Sequence, residues 1–168
     1  MEQITNKFRE DQNKIKSIAL VHERLYESSD LENVDLNEYT KKLVNDLSKS
    51  YGTDPKHIIL KNNVGKIYID MDTATSCGLI INELVSNSLK HAFKGELSDK
   101  IIIEFNLNDN YITMDISDNG IGMPNNIDFN NPDTLGLQLV KTLVNQIEGN
   151  IQYNWENGTQ YSIKFKKG

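Results

Sequence analysis

From about Glu2 to Ser28 the chain carries no glycine or proline, and Ile4, Phe8, Ile15, Ile18 and Leu25 fit an alternating spacing of three and four. That pattern predicts one long helix with a packing seam, although Asp11 and His22 fall in the same register and make the seam imperfect. A helix of this kind does not bury such a stripe unaided, so a partner helix from another chain or a neighbouring segment is expected. Residues Ser29 to Asp35 break the pattern as a polar linker. A second helix is predicted from Asp35, a natural N-cap, to Tyr51, with Leu36, Tyr39, Leu43, Val44 and Leu47 apolar.

After Gly52 the period shortens. His57 to Val64 and Lys66 to Met71 read as short strands joined by a turn at Gly65, and a third helix is expected from about Asp72 to Phe93. Two strands follow, Lys100 to Leu107 and Tyr111 to Ser117, separated by the turn-forming Asn108-Asp109-Asn110. Asn119 to Asp133 has little periodicity and reads as a mobile loop. A helix from about Thr134 to Ile147 and a hairpin, Asn150 to Trp155 and Thr159 to Phe165 around Asn157-Gly158, complete the chain. The mixture predicts an α+β fold, a two-layer sandwich of helices on a mixed, mostly antiparallel sheet with an N-terminal helix. No internal repeat and no low-complexity segment is present.

A length of 168 residues suits one core of ordinary domain size plus an appended element. The net charge of -6 and a pI near 5.1 argue against a nucleic-acid groove, which shows a basic stripe. No stretch approaches the roughly 20 consecutive apolar residues of a membrane span, and the N-terminus does not look like a signal peptide, so this chain is expected to be soluble and cytoplasmic, whether its parent protein is soluble or membrane-attached. The single Cys77 excludes an internal disulfide and reads as a small core residue of a reducing compartment.

Four segments carry candidate chemistry. On the third helix Glu83, Asn87, Lys90 and His91 share a face, and Ile81, Leu84, Val85 and Ala92 lie opposite. The amide oxygen of Asn87 is a hard ligand suited to a Mg²⁺ that keeps waters and shares phosphates. Glu83 could orient or deprotonate a nucleophile, and Lys90 and His91 could meet phosphate oxygens. An ordinary amphipathic helix with a solvated polar face reads from the same residues. In Asp115 to Pro124 a strand ends at Asp118, whose carboxylate can accept from an exocyclic amine such as that of adenine, while Gly120 and Gly122 leave room for a flat ring; a tight Asx turn is the plainer reading. Gly136 in Thr134 to Val140 opens a helix whose free N–H groups could dock a phosphate. Gly158-Thr159-Gln160-Tyr161 alone would be a hairpin turn.

In this order and spacing the four segments resemble the N box, G1 box, G2 box and terminal G-T-x-F element of the ATP-binding domain of sensor histidine kinases, in the superfamily that includes gyrase B, Hsp90 and MutL. The resemblance covers about Leu36 to Phe165. Asp72 to Leu84 resembles a subgroup whose dimerisation segment reads H-x-x-V-K-N-N, and Ile15 to Tyr26 resembles the second helix of that subgroup's dimerisation hairpin. It implies a partial hairpin over residues 1–29, a linker over 30–35 and an ATP-binding catalytic domain over 36–168. It further implies ATP and Mg²⁺ as ligands, with Asn87 on the metal, Glu83 assisting the acceptor or a water, and Lys90 and His91 near the phosphates or ribose. Asp118 would take the adenine amine, with Gly120, Gly122 and Thr159 around the base. Gly136 and Leu137 would supply lid and phosphate contacts, and Asn125 to Asp133 would form a short ATP lid.

The resemblance departs from the family in two places. No clear phenylalanine box precedes the G2 glycine, Phe129 being a loose candidate. The hairpin helix that bears the phosphorylated histidine is expected upstream of this chain, since His22-Glu23-Arg24-Leu25 echoes a phosphoacceptor box without its proline and aligns with the second helix instead. The implied partners are that histidine, a response regulator receiver domain, and a second copy through residues 1–29. A serine kinase of the anti-sigma-factor type, an ATPase of the same fold, or a non-catalytic nucleotide-binding or dimerisation module are the alternatives.

Overall fold

The computed structural model describes residues 1–28, 30, 32–62, 64–93, 95–96 and 98–168. The expected domain boundary at Ser29 and the linker residue Leu31 lie outside the described residues.

Helix α1 (Glu2–Tyr26) is followed by a two-residue strand β1 (Val34–Asp35) and helix α2 (Leu36–Ser50). Asp35 caps α2 by accepting from the backbone N–H groups of Asn37 and Glu38 at 3.1 and 3.3 Å. A 3₁₀ turn (Pro55–His57) leads into β2 (Ile58–Asn62), and β3 (Tyr68–Ile69) precedes α3 (Met71–Asn87), capped by Asp70 on Thr73 N–H at 2.8 Å. Strands β4 (Ile101–Asn108) and β5 (Tyr111–Asp118), helix α4 (Leu135–Gln146), and strands β6 (Asn150–Asn154) and β7 (Thr159–Lys166) complete the fold.

The main sheet runs β2-β4-β5-β7-β6, antiparallel except for the β2–β4 pair. The expected layering and mostly antiparallel sheet are found. The expected turn at Gly65 is present, with φ +75, but the two strands it joins do not pair with each other: β3 pairs with β1, Val34 opposite Ile69, and β2 pairs in parallel with β4. A glycine turn reverses the chain without choosing the next strand's partner. The end of the expected polar linker is therefore a strand, held also by Leu36 N–H donating to Ile67 O at 2.8 Å.

Helix α1 departs from a single seam. Val21 and Leu25 are fully buried against the domain, and Arg24 ion-pairs with Asp46 of α2. Ile4, Phe8, Ile15 and Ile18 stay exposed on another side. A straight α-helix drifts about 20° per seven residues from a 3.5 repeat, so Leu25 stands well round from Ile4. Exposed His22 accompanies the outer face.

The core lies between the sheet and α3, with Ile101, Ile103, Phe105, Ile112, Met114, Ile163 and Phe165 facing Ile80, Ile81, Leu84 and Val85. Helix α3 also touches α1, α2 and α4, so it is buried nearly all round. Gly78 is required there: a Cβ would stand 1.8 Å from the Tyr39 hydroxyl of α2. Burial pushes the Cys77 thiol up to about 12 from an ordinary 9.0, and the Tyr161 phenol up to about 12 from 10.0. Above about pH 9 the unfolded chain releases protons that the folded chain keeps, so stability present at neutral pH is lost as pH rises towards 12. The urea midpoint is expected to fall between pH 8 and pH 10.5, and Cys77 to resist thiol reagents at pH 8 until the chain is unfolded. A flat midpoint, or rapid labelling of the folded protein, would contradict the burial argument.

Among the described residues no helix is long and apolar enough to cross a membrane.

Candidate functional site

The site is built where α3 ends. From Ser88 to Ala92 the helix widens into a π turn, closed by Phe93 N–H donating to Ser88 O at 3.3 Å. The wider turn changes the expected four-residue stripe. Glu83 and Asn87 stay one α-turn apart, and Glu83 is only 7% exposed, so this is no solvated face. Lys90 is turned towards α2, its Nζ 5.9 Å from the Tyr51 ring centroid, and His91 is exposed.

Strand β5 delivers Asp118 beneath this turn, 6% exposed and held by four donors. Its Oδ1 accepts from Gly120 N–H at 2.9 Å and Thr159 N–H at 3.2 Å; its Oδ2 accepts from Ser88 Oγ at 2.6 Å and Thr159 Oγ1 at 2.5 Å. One carboxylate thus ties the end of α3, the turn after β5 and the start of β7 together. The glycines are fitted to that junction. A Cβ on Gly120 would lie 2.4 Å from Ala92 O, and one on Gly122, at φ +75, 2.9 Å from Trp155 O. Either would overlap atoms already packed there, so only a residue without a side chain fits at these two positions. Asn119 secures the turn from the other side, accepting from Lys100 N–H at 2.7 Å and donating to Ser98 O at 2.7 Å.

Helix α4 supplies the fourth part. Thr134 caps it, accepting from Leu137 N–H at 3.5 Å, and a Cβ on Gly136 would lie 2.6 Å from Glu83 Oε2. Leu137 is buried in the core. The N box segment therefore meets the G1 and terminal segments through Asp118, and the G2 segment through Glu83.

Sequence reasoning gave Ser88 and Ala92 no role in the site and Phe129 only a loose one. Ser88 supplies a buried donor to Asp118 and Ala92 packs on Gly120; their only signal was their place beside Asn87 and His91. Phe129 is 2% exposed, with ring centroids 5.0 Å from Tyr153 and 5.9 Å from Tyr161. The segment expected to be a mobile loop is therefore pinned at its centre by an aromatic cluster, and tied to α4 by Gln138 Nε2 donating to Pro132 O at 2.9 Å and by Lys141 Nζ donating to Asn130 O. A surface hollow lined by Arg24, Asn33, Glu38 and Tyr68 lies at the C-terminal end of α1 and holds none of the site residues.

A buried carboxylate beside glycines has the chemistry to accept from an exocyclic amine, and Gly136 lies in the first turn of α4 with the Glu83 carboxylate against it. No group of three or more His, Cys, Asp or Glu side chains converges among the described residues, so any divalent cation here would take most of its ligands from phosphate and water, as Mg²⁺ commonly does.

Comparison with known proteins adds an independent line. Residues 1–51 match the family described as Histidine kinase, and residues 73–168 match the family described as Histidine kinase-, DNA gyrase B-, and HSP90-like ATPase. The sensor histidine kinase PdtaS of Mycobacterium tuberculosis is 32% identical over 160 residues, 92% of this chain and 31% of that protein. PdtaS of Mycolicibacterium smegmatis is 31% identical over 141 residues, covering 82% and 28% respectively. The chain spans about a third of the length of the curated relatives it matches. Among solved structures, the histidine kinase domain of the Erythrobacter litoralis EL346 blue-light activated histidine kinase superposes with a TM-score of 0.76 at 18% identity, over 93% of this chain and 74% of that one. The mycobacterial sensor histidine kinase MprB gives a TM-score of 0.59 at 17% identity, over 82% and 97%. At such identities the structural likeness speaks for the fold alone.

Proposed function

Since this chain belongs to the family of histidine kinase-, DNA gyrase B- and HSP90-like ATPases, we propose that it is the ATP-binding catalytic part of a two-component sensor histidine kinase. It binds Mg-ATP and passes the γ-phosphoryl to a histidine outside these residues, from which a response regulator receiver domain is served. The observation that carries this reading is the knot around Asp118, in which the ends of α3, β5 and β7 share one buried carboxylate while Glu83 and Gly136 meet beside it.

In this reading Asp118 accepts the amine of adenine, with Gly120, Gly122 and Thr159 around the base. Asn87 offers its amide oxygen to Mg²⁺, and Gly136 and Leu137 receive phosphate at the opening of α4. The metal supplies charge neutralisation when bound, and the chain supplies positioning. Glu83, buried one turn before Asn87, orients or relieves of a proton the attacking group. In this reading Lys90 and His91 serve the phosphates or ribose, Lys90 swinging away from its cation–π contact with Tyr51 to reach them. Residues 1–29 belong to the dimerisation hairpin, 30–35 to a linker and 36–168 to the catalytic domain. The exposed stripe Ile4, Phe8, Ile15 and Ile18 supports pairing with a second helix, and a cytoplasmic setting follows from the nucleotide.

Calorimetric titration with ATP is expected to show binding in Mg²⁺ that weakens in EDTA. With radiolabelled ATP the purified chain is expected to retain little phosphate, in equal amount in wild type and His22→Ala. Label lost specifically in His22→Ala would make this exposed α1 histidine the acceptor and overturn the assignment of the acceptor to another segment.

A further inference from the structure

The C-terminal half of α1 is clamped to the domain by Val21, Leu25 and the Arg24–Asp46 ion pair. Two turns before Val21, on the same face, stands Lys14, half-buried. Its ammonium enters the cradle between α3 and α4: the position of a Cβ on Gly136 is 3.9 Å from Lys14 Nζ and 2.6 Å from Glu83 Oε2. Neither side chain has a hydrogen-bond or ion-pair partner among the described residues. Glu83 is more than nine-tenths buried, and an ionised carboxylate in that position without a partner is costly. The cradle therefore holds a buried anion, a nearby cation too far away to pair with it, and the opening of a twelve-residue helix.

A polyphosphate brought to this place faces repulsion from Glu83. In this structure the cations of the N box stand away from the cradle, Lys90 lying over Tyr51 and His91 exposed. The ammonium found in the cradle comes instead from α1. We propose that Lys14 reads the terminal phosphate of a bound nucleoside triphosphate, so that preference for ATP over ADP depends on α1 being docked against α3. This rests on the ATP-site reading above, and adds to it a binding residue from the helix that bears the apolar stripe. Discrimination resides in Lys14 because the adenine and glycine contacts are shared by both nucleotides, whereas only the longer chain of ATP carries a further phosphate to the ammonium.

The test is calorimetric titration of the full chain with ATP and with ADP, in Mg²⁺ at fixed ionic strength, for wild type, Lys14→Ala, Lys14→Arg and Asp118→Asn. Lys14→Ala is expected to weaken ATP about tenfold, the size of one partly exposed charge-assisted hydrogen bond, and to leave ADP within about twofold. Lys14→Arg is expected to keep most of the preference. Equal changes for ATP and ADP, no change, or tighter ATP binding by Lys14→Ala overturns the proposal. If that happens while Asp118→Asn loses both nucleotides, the ATP-site reading stands and only the role of Lys14 falls. Wild type binding neither nucleotide would overturn both.

Discussion

Asp118→Asn is expected to weaken both ATP and ADP about hundredfold, on the order of 3 kcal/mol, without unfolding the domain. The two backbone donors, Gly120 and Thr159 N–H, both meet Oδ1, which the amide retains as a carbonyl oxygen. The two donors on Oδ2 are the hydroxyls of Ser88 and Thr159, which can rotate and accept from the new NH₂ group. The internal network survives, but a purine amine would meet a donor in place of an acceptor. Asp118→Ala acts differently, because it leaves four donors without their acceptor and is expected to cost stability, about 2–4 kcal/mol, as well as affinity. Titration of both variants beside thermal melting separates the two effects. Unchanged nucleotide affinity in a folded Asp118→Asn protein would refute the adenine assignment.

Gly158→Ala is expected to remove about 3 kcal/mol or more of stability. The residue sits at φ +83, and a Cβ would stand 2.0 Å from the carbonyl oxygen and 2.9 Å from the carbonyl carbon of Asp118. Those atoms are backbone of a central strand, so they cannot step aside as a flexible side chain would. Gly52 provides the control, with φ +62 and nothing within 4 Å, so Gly52→Ala carries the backbone strain alone and is expected to cost about 1 kcal/mol. In urea the midpoint of Gly158→Ala should fall by more than about 1 M and that of Gly52→Ala by much less. Equal shifts would mean that the close approach to Asp118 contributes nothing.

Local signals in the sequence were read well wherever the structure answers them locally. Asp35 and Tyr51 bound α2 because a side-chain cap and an apolar period act within a few residues. Asn108-Asp109-Asn110 closes the β4–β5 hairpin, with Asp109 at φ 54. The errors share a cause, which is that a distant partner decided the matter. Gly65 marks a turn, yet only the position of β4 makes β2 its parallel neighbour. Leu25 matched the α1 spacing, yet accumulated helical drift and the presence of α2 put it on the domain side. In the site, the spacing of Glu83 and Asn87 is visible, while the π turn at Lys90 lies where Ala92 packs closely on the distant Gly120, a contact that local spacing does not show. Lys14 could not be found by motif, since more than a hundred residues separate it from Gly136. Phe129 is a loose candidate for the phenylalanine box by sequence, and the aromatic partners that bury it come from the final hairpin.

The parallel pairing of β2 with β4 also sets an order of assembly in time. Strand β2 finds its neighbour only after β3 and the whole of α3 have crossed between them, so this edge closes late relative to the β4–β5 and β6–β7 hairpins. Helix α3 carries Glu83 and Asn87 and is seated by that same crossover. In the proposed reading, a chain in which α3 has not yet packed on the sheet owns every residue of the nucleotide site and still lacks the site, so a bound nucleotide favours the finished fold.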